Sequence, residues 1–200
     1  IDDIYDSSNA VQGLVSDVLA LAKAEAGMLE LQEKPVQVEQ VVGKCIRVLS
    51  ERLKETGVTI ENRVSENLPR LLVDELRLKQ IILNLLGNAI SHAPKGGSVI
   101  IEAQIGRDTK EDRYFEIVVT DFAAKSVSKI TPLGNTIQEE MDEQGRPKLK
   151  SRAQLGRISN LGIPLTKALV AMHQATLTID SQPGKPTLVI VRFPARRIVA

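Results

Sequence analysis

Asn84 and Asn88 stand four residues apart in the stretch from Asp74 to Gly97, DELRLKQIILNLLGNAISHAPKGG. Around them Leu78, Ile81, Ile82, Leu85, Leu86, Ala89 and Ile90 recur at helical spacing, so the stretch reads as one long helix with an apolar side. Arg77, Gln80, Asn84, Asn88 and Ser91 form a polar stripe along the other side. Asparagine is a mediocre helix former because its amide competes for backbone hydrogen bonds. Two of them at i and i+4 inside a strong helix point to a task beyond propensity. A carboxamide oxygen is a hard, neutral ligand suited to Mg²⁺, which usually arrives carrying nucleotide phosphates and waters. The same spacing also suits a plain solvated helix face, and spacing alone leaves both readings open.

Other reactive residue types are sparse. The chain has one cysteine and two histidines, His92 and His173. Cys45 falls on the apolar rhythm of Val41, Val42, Val48 and Leu49, which marks it as a small buried hydrophobe rather than a nucleophile. With no second cysteine an internal disulfide is excluded, and a reducing cytosol is the setting this implies. Net charge is +1, which gives neither a nucleic-acid footprint nor a preference for anionic membranes. Aromatic residues make up 2% of the chain, too few to build stacking platforms for bases. No apolar run approaches the roughly 20 residues needed to span a bilayer. The helical start without a signal peptide reads as a fragment of a longer, cytoplasmic part of a protein.

The elements that must position the asparagines can be read in order. Ile4 to Ala26 carries a narrow apolar stripe of Ile4, Val11, Leu14, Val15, Val18, Leu21 and Ala22 at a 3.6-residue period. A lone helix of this kind is marginal in water, so the stripe either packs on the chain's own body or enters a bundle with a second copy. The acidic residues Asp2, Asp3 and Asp6 near its start suit the helix dipole. Gly27 ends it. A strand over Met28–Gln32, a helix over Val38–Glu55, a strand over Val58–Arg63 and a short strand over Leu71–Val73 lead into the asparagine helix. Beyond it, Ser98–Ile105 and Tyr114–Thr120 alternate as antiparallel strands. Residues 122–160 show no sustained period and read as a long loop, with one helical turn near Gln138–Met141. Loops of that length in a compact domain are commonly lids or disordered segments. Leu161–His173 reads as a helix, and Thr176–Asp180 and Thr187–Phe193 as a closing hairpin. The sum is an α/β two-layer sandwich: a mixed, mostly antiparallel sheet with helices on one face.

The string Asp-x-x-Arg-Leu-x-Gln-x-x-x-Asn-Leu-Leu-x-Asn-Ala-Ile, running on to Ala-Pro-Lys-Gly-Gly, resembles the N box of the sensor histidine kinases. Val15 to Leu31 is similar to the second helix of that family's dimerisation and phosphotransfer hairpin running into the first strand of its catalytic domain. Pro164 to Pro194 is similar to the last helix and strands of its catalytic domain. The resemblance implies a Bergerat-type ATP-binding fold over 28–200, with 1–27 as the hairpin helix and 122–160 as the lid. It implies that Asn88 holds Mg²⁺, that Asn84 lies near the phosphates, and that His92 is on the same cofactor-binding wall. Asp121 takes the place of the carboxylate that accepts a hydrogen bond from the adenine amino group.

Several glycines of the family pattern are replaced. After Asp121 their positions hold Ala123 and Lys125, where the backbone must come close to the base. The phosphate-binding Gly-x-Gly-Leu-Gly-Leu matches Ile158-Ser159-Asn160-Leu161-Gly162-Ile163, which keeps Leu161 and Gly162. Such a turn receives phosphates on backbone N–H groups and a helix N-terminus. Ile158 is β-branched and disfavours positive φ, whereas Asn160 tolerates the left-handed region. His-Gly-Gly has become His173-Gln174-Ala175, and Gly-x-Gly-Thr has become Gly184-Lys185-Pro186-Thr187. Ser91 stands where the family often carries a phosphate-contacting lysine. Lys125, Lys129, Arg146, Lys148, Lys150, Arg152 and Arg157 make the loop basic; it is either plainly solvated or binds phosphates electrostatically.

The resemblance therefore implies a two-component signalling module with impaired nucleotide chemistry. The expected role is a pseudokinase that docks a response-regulator receiver domain and pairs through its first helix with a second copy or a partner kinase. Mg-ATP is the only cofactor implied, bound weakly if at all. The alternative is an active catalytic fragment with a relaxed, glycine-poor site. In either case the phosphoacceptor histidine belongs upstream of this chain. The hydrolytic gyrase and MutL ATPases place a glutamate four residues before the Mg²⁺ asparagine as general base. That position is Asn84, which cannot take the proton.

Overall fold

The computed structural model describes residues 15, 18–24, 26, 28–107, 112–121, 162–181 and 185–199. A five-stranded sheet has the order β2-β4-β5-β7-β6, formed by β2 (Thr59–Asn62), β4 (Ser98–Arg107), β5 (Arg113–Asp121), β7 (Thr187–Pro194) and β6 (Thr176–Asp180). Among the described residues its only parallel pair is β2 with β4; the other neighbours are antiparallel. A second sheet of order β1-β3-β8 joins β1 (Glu33–Val36), β3 (Arg70–Asp74) and β8 (Ile198–Val199). The helices are α1 (Val38–Val48), α2 (Ser50–Thr56), α3 (Glu75–His92) and α4 (Gly162–Met172). Residues 18–24 are also helical.

Strand alternation sorts the large sheet into two faces. Ile101, Phe115, Ile117, Val119, Val191 and Phe193 take one face and are each buried to 1% exposure or less, in one cluster with residues of α1, α3 and α4. Gln104, Glu116 and Arg192 lie in register on the other face, bonded side chain to side chain. Helix α3 packs between α1 and α4 and over β5. All seven apolar residues of its predicted inner side are buried. This is the expected two-layer α/β architecture.

Element boundaries differ from expectation where partners decide them. Residues 28–32 form no strand, and β1 begins at Glu33, because the stretch opposite β3 is Glu33 to Val36. Met28 is 75% exposed. The helix expected over Val38–Glu55 divides at Leu49, whose φ −86° and ψ 2° leave the helical basin. Its second part, α2, buries no residue completely. Helix α3 stops at His92 rather than running to Gly97. Ala93 precedes a proline and takes φ −62° and ψ 141°, as the ring of Pro94 demands.

Two buried side chains hold the small sheet, one against the end of α4 and the other against the segment that leads into β8. His173 is fully buried: its Nδ1 is 2.7 Å from Leu169 O, and its Nε2 accepts the Asp74 N–H at 3.2 Å. Arg197, 6% exposed, donates to Leu72 O at 2.7 Å and pairs with Glu33 at 2.9 Å. Along the N-terminal helical residues Ala20 is buried, while Val15, Val18 and Leu19 are 53%, 48% and 55% exposed.

Candidate functional site

Helix α3 starts where β3 ends, at Asp74. This carboxylate is 7% exposed; its Oδ1 accepts the Arg77 N–H at 3.1 Å, an N-cap, and its Oδ2 accepts the Gln32 N–H at 2.9 Å. With the first turn fixed and the apolar side buried, the polar stripe is held in place without contributing to the core.

The two asparagines on that stripe do different things. Asn84 Nδ2 donates to Gly162 O and to Thr166 Oγ1, both at 3.3 Å. Both receiving residues are buried on α4, so Asn84 joins α3 to the start of the next helix. Pro164 in the first turn of α4 suits that start, since it has no N–H to lose there. Asn88, one turn further along α3, is half-buried and has no hydrogen-bond partner among the described residues. Ser91 Oγ donates to Gly87 O at 2.9 Å and accepts a hydrogen bond from Arg52. His92 is exposed at the last position of the helix.

The other expected end of the site is built by the sheet. Asp121 is the last residue of β5 and lies opposite Thr187, the first residue of β7, and Val99 of β4. Its Oδ1 accepts the Thr187 N–H at 3.3 Å, and the residue is 5% exposed. The Thr187 hydroxyl is 3.2 Å from that of Ser181. The structure thus brings Asn84 to Gly162, and Asp121 to Thr187. Ala123, Lys125 and Leu161 lie outside the described residues, as do Ile158, Ser159 and Asn160.

The donor set can be tested against a Mg²⁺-nucleotide. Among the described residues no group of three or more His, Cys, Asp or Glu could hold a metal ion. An ion here would depend on a single amide oxygen together with phosphate and water oxygens, the mode Mg²⁺ commonly takes. Asn88 has an uncommitted amide for that purpose, and Asp121 offers a buried acceptor for an amino group. Both ends fit. When bound, the Mg²⁺ would offset the charge of the phosphates.

Two buried groups have displaced titrations. Burial pushes the Cys45 thiol up to about 11, so it stays protonated, in keeping with a role as a small hydrophobe. Burial lowers the His173 pKa; the bond to Leu169 O opposes the shift and the nearby Arg197 charge adds to it.

A family model described as "Histidine kinase-, DNA gyrase B-, and HSP90-like ATPase" matches residues 73–197. The chain belongs to this ATPase family. Histidine kinases are among its relatives and its structural neighbours. The cell-division control histidine kinase PdhS of Brucella canis is 31% identical over 198 residues, covering 99% of this chain and 19% of that protein. The non-motile and phage-resistance protein of Caulobacter vibrioides is 30% identical over 197 residues, 97% of this chain and 22% of its own length. The chain therefore spans about a fifth of the curated relatives it matches. In fold it is similar to the Acinetobacter baumannii histidine kinase AdeS, at TM-score 0.71 and 15% identity over 97% of this chain and 83% of that one. It is equally similar to full-length ShkA in complex with AMPPNP, at TM-score 0.71 and 24% identity over all of this chain and 38% of that one.

Two residues outside the polar stripe carry much of the framework around it, Asp74 at its root and Arg52 at its flank. Asp74 opens the asparagine-helix stretch, and Asp followed by Arg77 and an apolar run is an N-cap signal in the sequence itself. Arg52 sits in a helix with no reactive pattern, and nothing in its sequence neighbourhood points to Ser91.

Proposed function

We propose that this chain is the catalytic-domain part of a two-component sensor histidine kinase that binds Mg-ATP weakly or not at all and serves as a pseudokinase signalling module. One contrast carries the reading. Asp121 and Asn88 remain at the two ends of the site, while the glycine positions between and beyond them hold Ala123, Lys125, Ile158 and Asn160. A Cβ at a position that needs φ > 0 or a close backbone approach opposes the turn each time. In this reading residues 1–27 are the second helix of a dimerisation hairpin, residues 28–200 form the ATP-binding domain and residues 122–160 its lid. The exposed Val15, Val18 and Leu19 supply an apolar stripe for a second copy or a partner kinase, next to which a response-regulator receiver domain docks. The module works in the cytoplasm. Among the described residues no helix is long and apolar enough to cross a membrane.

Isothermal calorimetry with Mg²⁺ and a non-hydrolysable ATP analogue tests the reading. The expected result is a dissociation constant in the millimolar range or no heat at all; a micromolar constant overturns it. That outcome would favour the second reading, an active catalytic fragment that phosphorylates a histidine outside this chain. The tie from Asn84 to Gly162 and the pairing of Asp121 with Thr187 speak for this alternative, because they keep both walls of the site assembled.

A further inference from the structure

Arg52 belongs to α2, yet its guanidinium reaches the polar stripe of α3. One Nη donates to Ser91 Oγ. The other lies over Gly87, where an added Cβ would stand 3.5 Å from Nη1. Gly87 and Ser91 flank Asn88 within one turn, and residues three apart on a helix are surface neighbours. The positive charge is therefore brought to the Asn88 end of the stripe from a different element.

Among the described residues that charge has no acidic counterpart. Arg63 pairs with Glu61, Arg192 with Glu116 and Arg197 with Glu33, whereas no carboxylate pairs with Arg52 among the described residues. Its partner among the described residues is a neutral hydroxyl that directs its own proton to Gly87 O. A guanidinium has five N–H donors in a planar fork that matches two phosphate oxygens, and it stays charged at any physiological pH. Arg52 is exposed, so most of those donors face solvent.

Its helix is also anchored to the exit of α3. Gly96 N–H donates to Thr56 O at 3.4 Å, just past the end of α3, and Thr59 N–H donates to Gly97 O at 3.0 Å. Gly57 closes α2 in the left-handed region at φ 68°, a conformation costly for other residues. The base of the arginine is thus fixed relative to the asparagine stripe, and the side chain needs little ordering to meet a ligand there.

We propose that Arg52 is a phosphate-contacting residue of this site, supplying from α2 the cation that a Mg²⁺-polyphosphate chain meets beside Asn88. The proposal rests on the nucleotide part of the function proposed above, in which that end of the site receives Mg-polyphosphate, however weakly.

The test is an NMR titration of the full chain, following the Asn88 side-chain amide and the backbone amides of Gly87 and Ser91. The probes are Mg²⁺ with inorganic tripolyphosphate, and adenosine in a separate titration. Tripolyphosphate is expected to shift the three reporters at millimolar concentration. R52A should raise the half-saturation point roughly tenfold, as expected for loss of a charge-assisted hydrogen bond, and R52K should recover part of that. Adenosine should act equally on wild type and R52A, with an unchanged urea midpoint confirming the fold. If R52A responds to tripolyphosphate as wild type does, the Arg52 assignment is wrong and the site reading stands. If tripolyphosphate leaves the wild-type reporters unmoved, the assignment and the polyphosphate-binding role of the Asn88 end both fail.

Discussion

The two ends of the candidate site are held by different kinds of bond. Asp121 is placed by strand register: β4 and β7 flank it, and its carboxylate accepts an N–H from the residue directly opposite. Asn88 is placed only by the orientation of a helix whose buried side does the holding. A register-fixed residue cannot shift without breaking a ladder of backbone hydrogen bonds, and a one-residue slip would turn every side chain over. A helix face can rotate or translate slightly at lower cost. The strand end is accordingly the stiff wall, and the helix end is the wall whose stiffness depends on a few side-chain ties at its root and along its flank.

Breaking the root should have the largest effect. His173→Ala leaves the Asp74 N–H without its acceptor and opens a cavity beside Phe193, whose ring meets the imidazole edge-on at 6.2 Å. A loss of about 3 kcal/mol is expected from the two effects together, read from the urea midpoint. Asp121→Ala strikes the stiff wall instead. Stranding the buried Thr187 N–H should cost about 2 kcal/mol and abolish any response to adenosine in an NMR titration.

The two asparagines sharpen the contrast within one helix. Asn84→Ala removes two donated bonds to α4 and should cost about 1 kcal/mol in urea denaturation. Asn88→Ala should leave stability within about 0.5 kcal/mol of wild type, since it has no partner among the described residues to lose. Its effect should appear only in Mg²⁺-dependent binding. Equal destabilisation by both substitutions would mean that Asn88 is structural too.

The smallest effect is a pH dependence. The folded pKa of His173 lies below its unfolded value, so its contribution is fully present above the unfolded pKa of about 6.5. As the pH falls below that, the unfolded chain takes up a proton that the buried ring refuses, and stability declines towards the folded pKa. The groups around the ring are Arg197, Glu33 and Asp74. A second limb belongs to Glu75, held down to about 2 by hydrogen bonds from Lys34 and Lys44, so its contribution is lost only as pH falls from about 4.5 through 2. Urea midpoints from pH 7.5 to 5 should fall in wild type and flatten in His173→Gln, while the further fall below pH 4.5 should persist in both.

Periodicity revealed the inner side of α3 because burial on one helix face leaves a repeat that any reader of the sequence can find. The same holds for Cys45 and for β6, whose bounds match expectation. The break at Leu49 was hidden, because Leu49 and Leu53 continue the apolar rhythm while the backbone leaves the helix. The two-residue β8 is too short to leave a pattern and exists only because β3 offers it an edge. The candidate site was legible only as residue types: Asn88, Asp121 and the replaced glycines all stand in the primary sequence. Its geometry was not. The pairing of Asp121 with Thr187 spans 66 residues and the bond from Arg52 to Ser91 spans 39, and no local signal encodes contacts of that range.

The clasp around β3 carries a consequence for how the chain acquires its shape during synthesis. Asp74 waits for His173, which is 99 residues downstream, and Leu72 for Arg197, 125 residues downstream. Contacts that close such long loops form late, and a chain emerging from the ribosome begins with its N-terminal part. Helix α3 can thus be translated, capped and amphipathic long before the residues that seat its first turn exist. The asparagine wall would then be among the first parts of the domain to be made and among the last to be fixed.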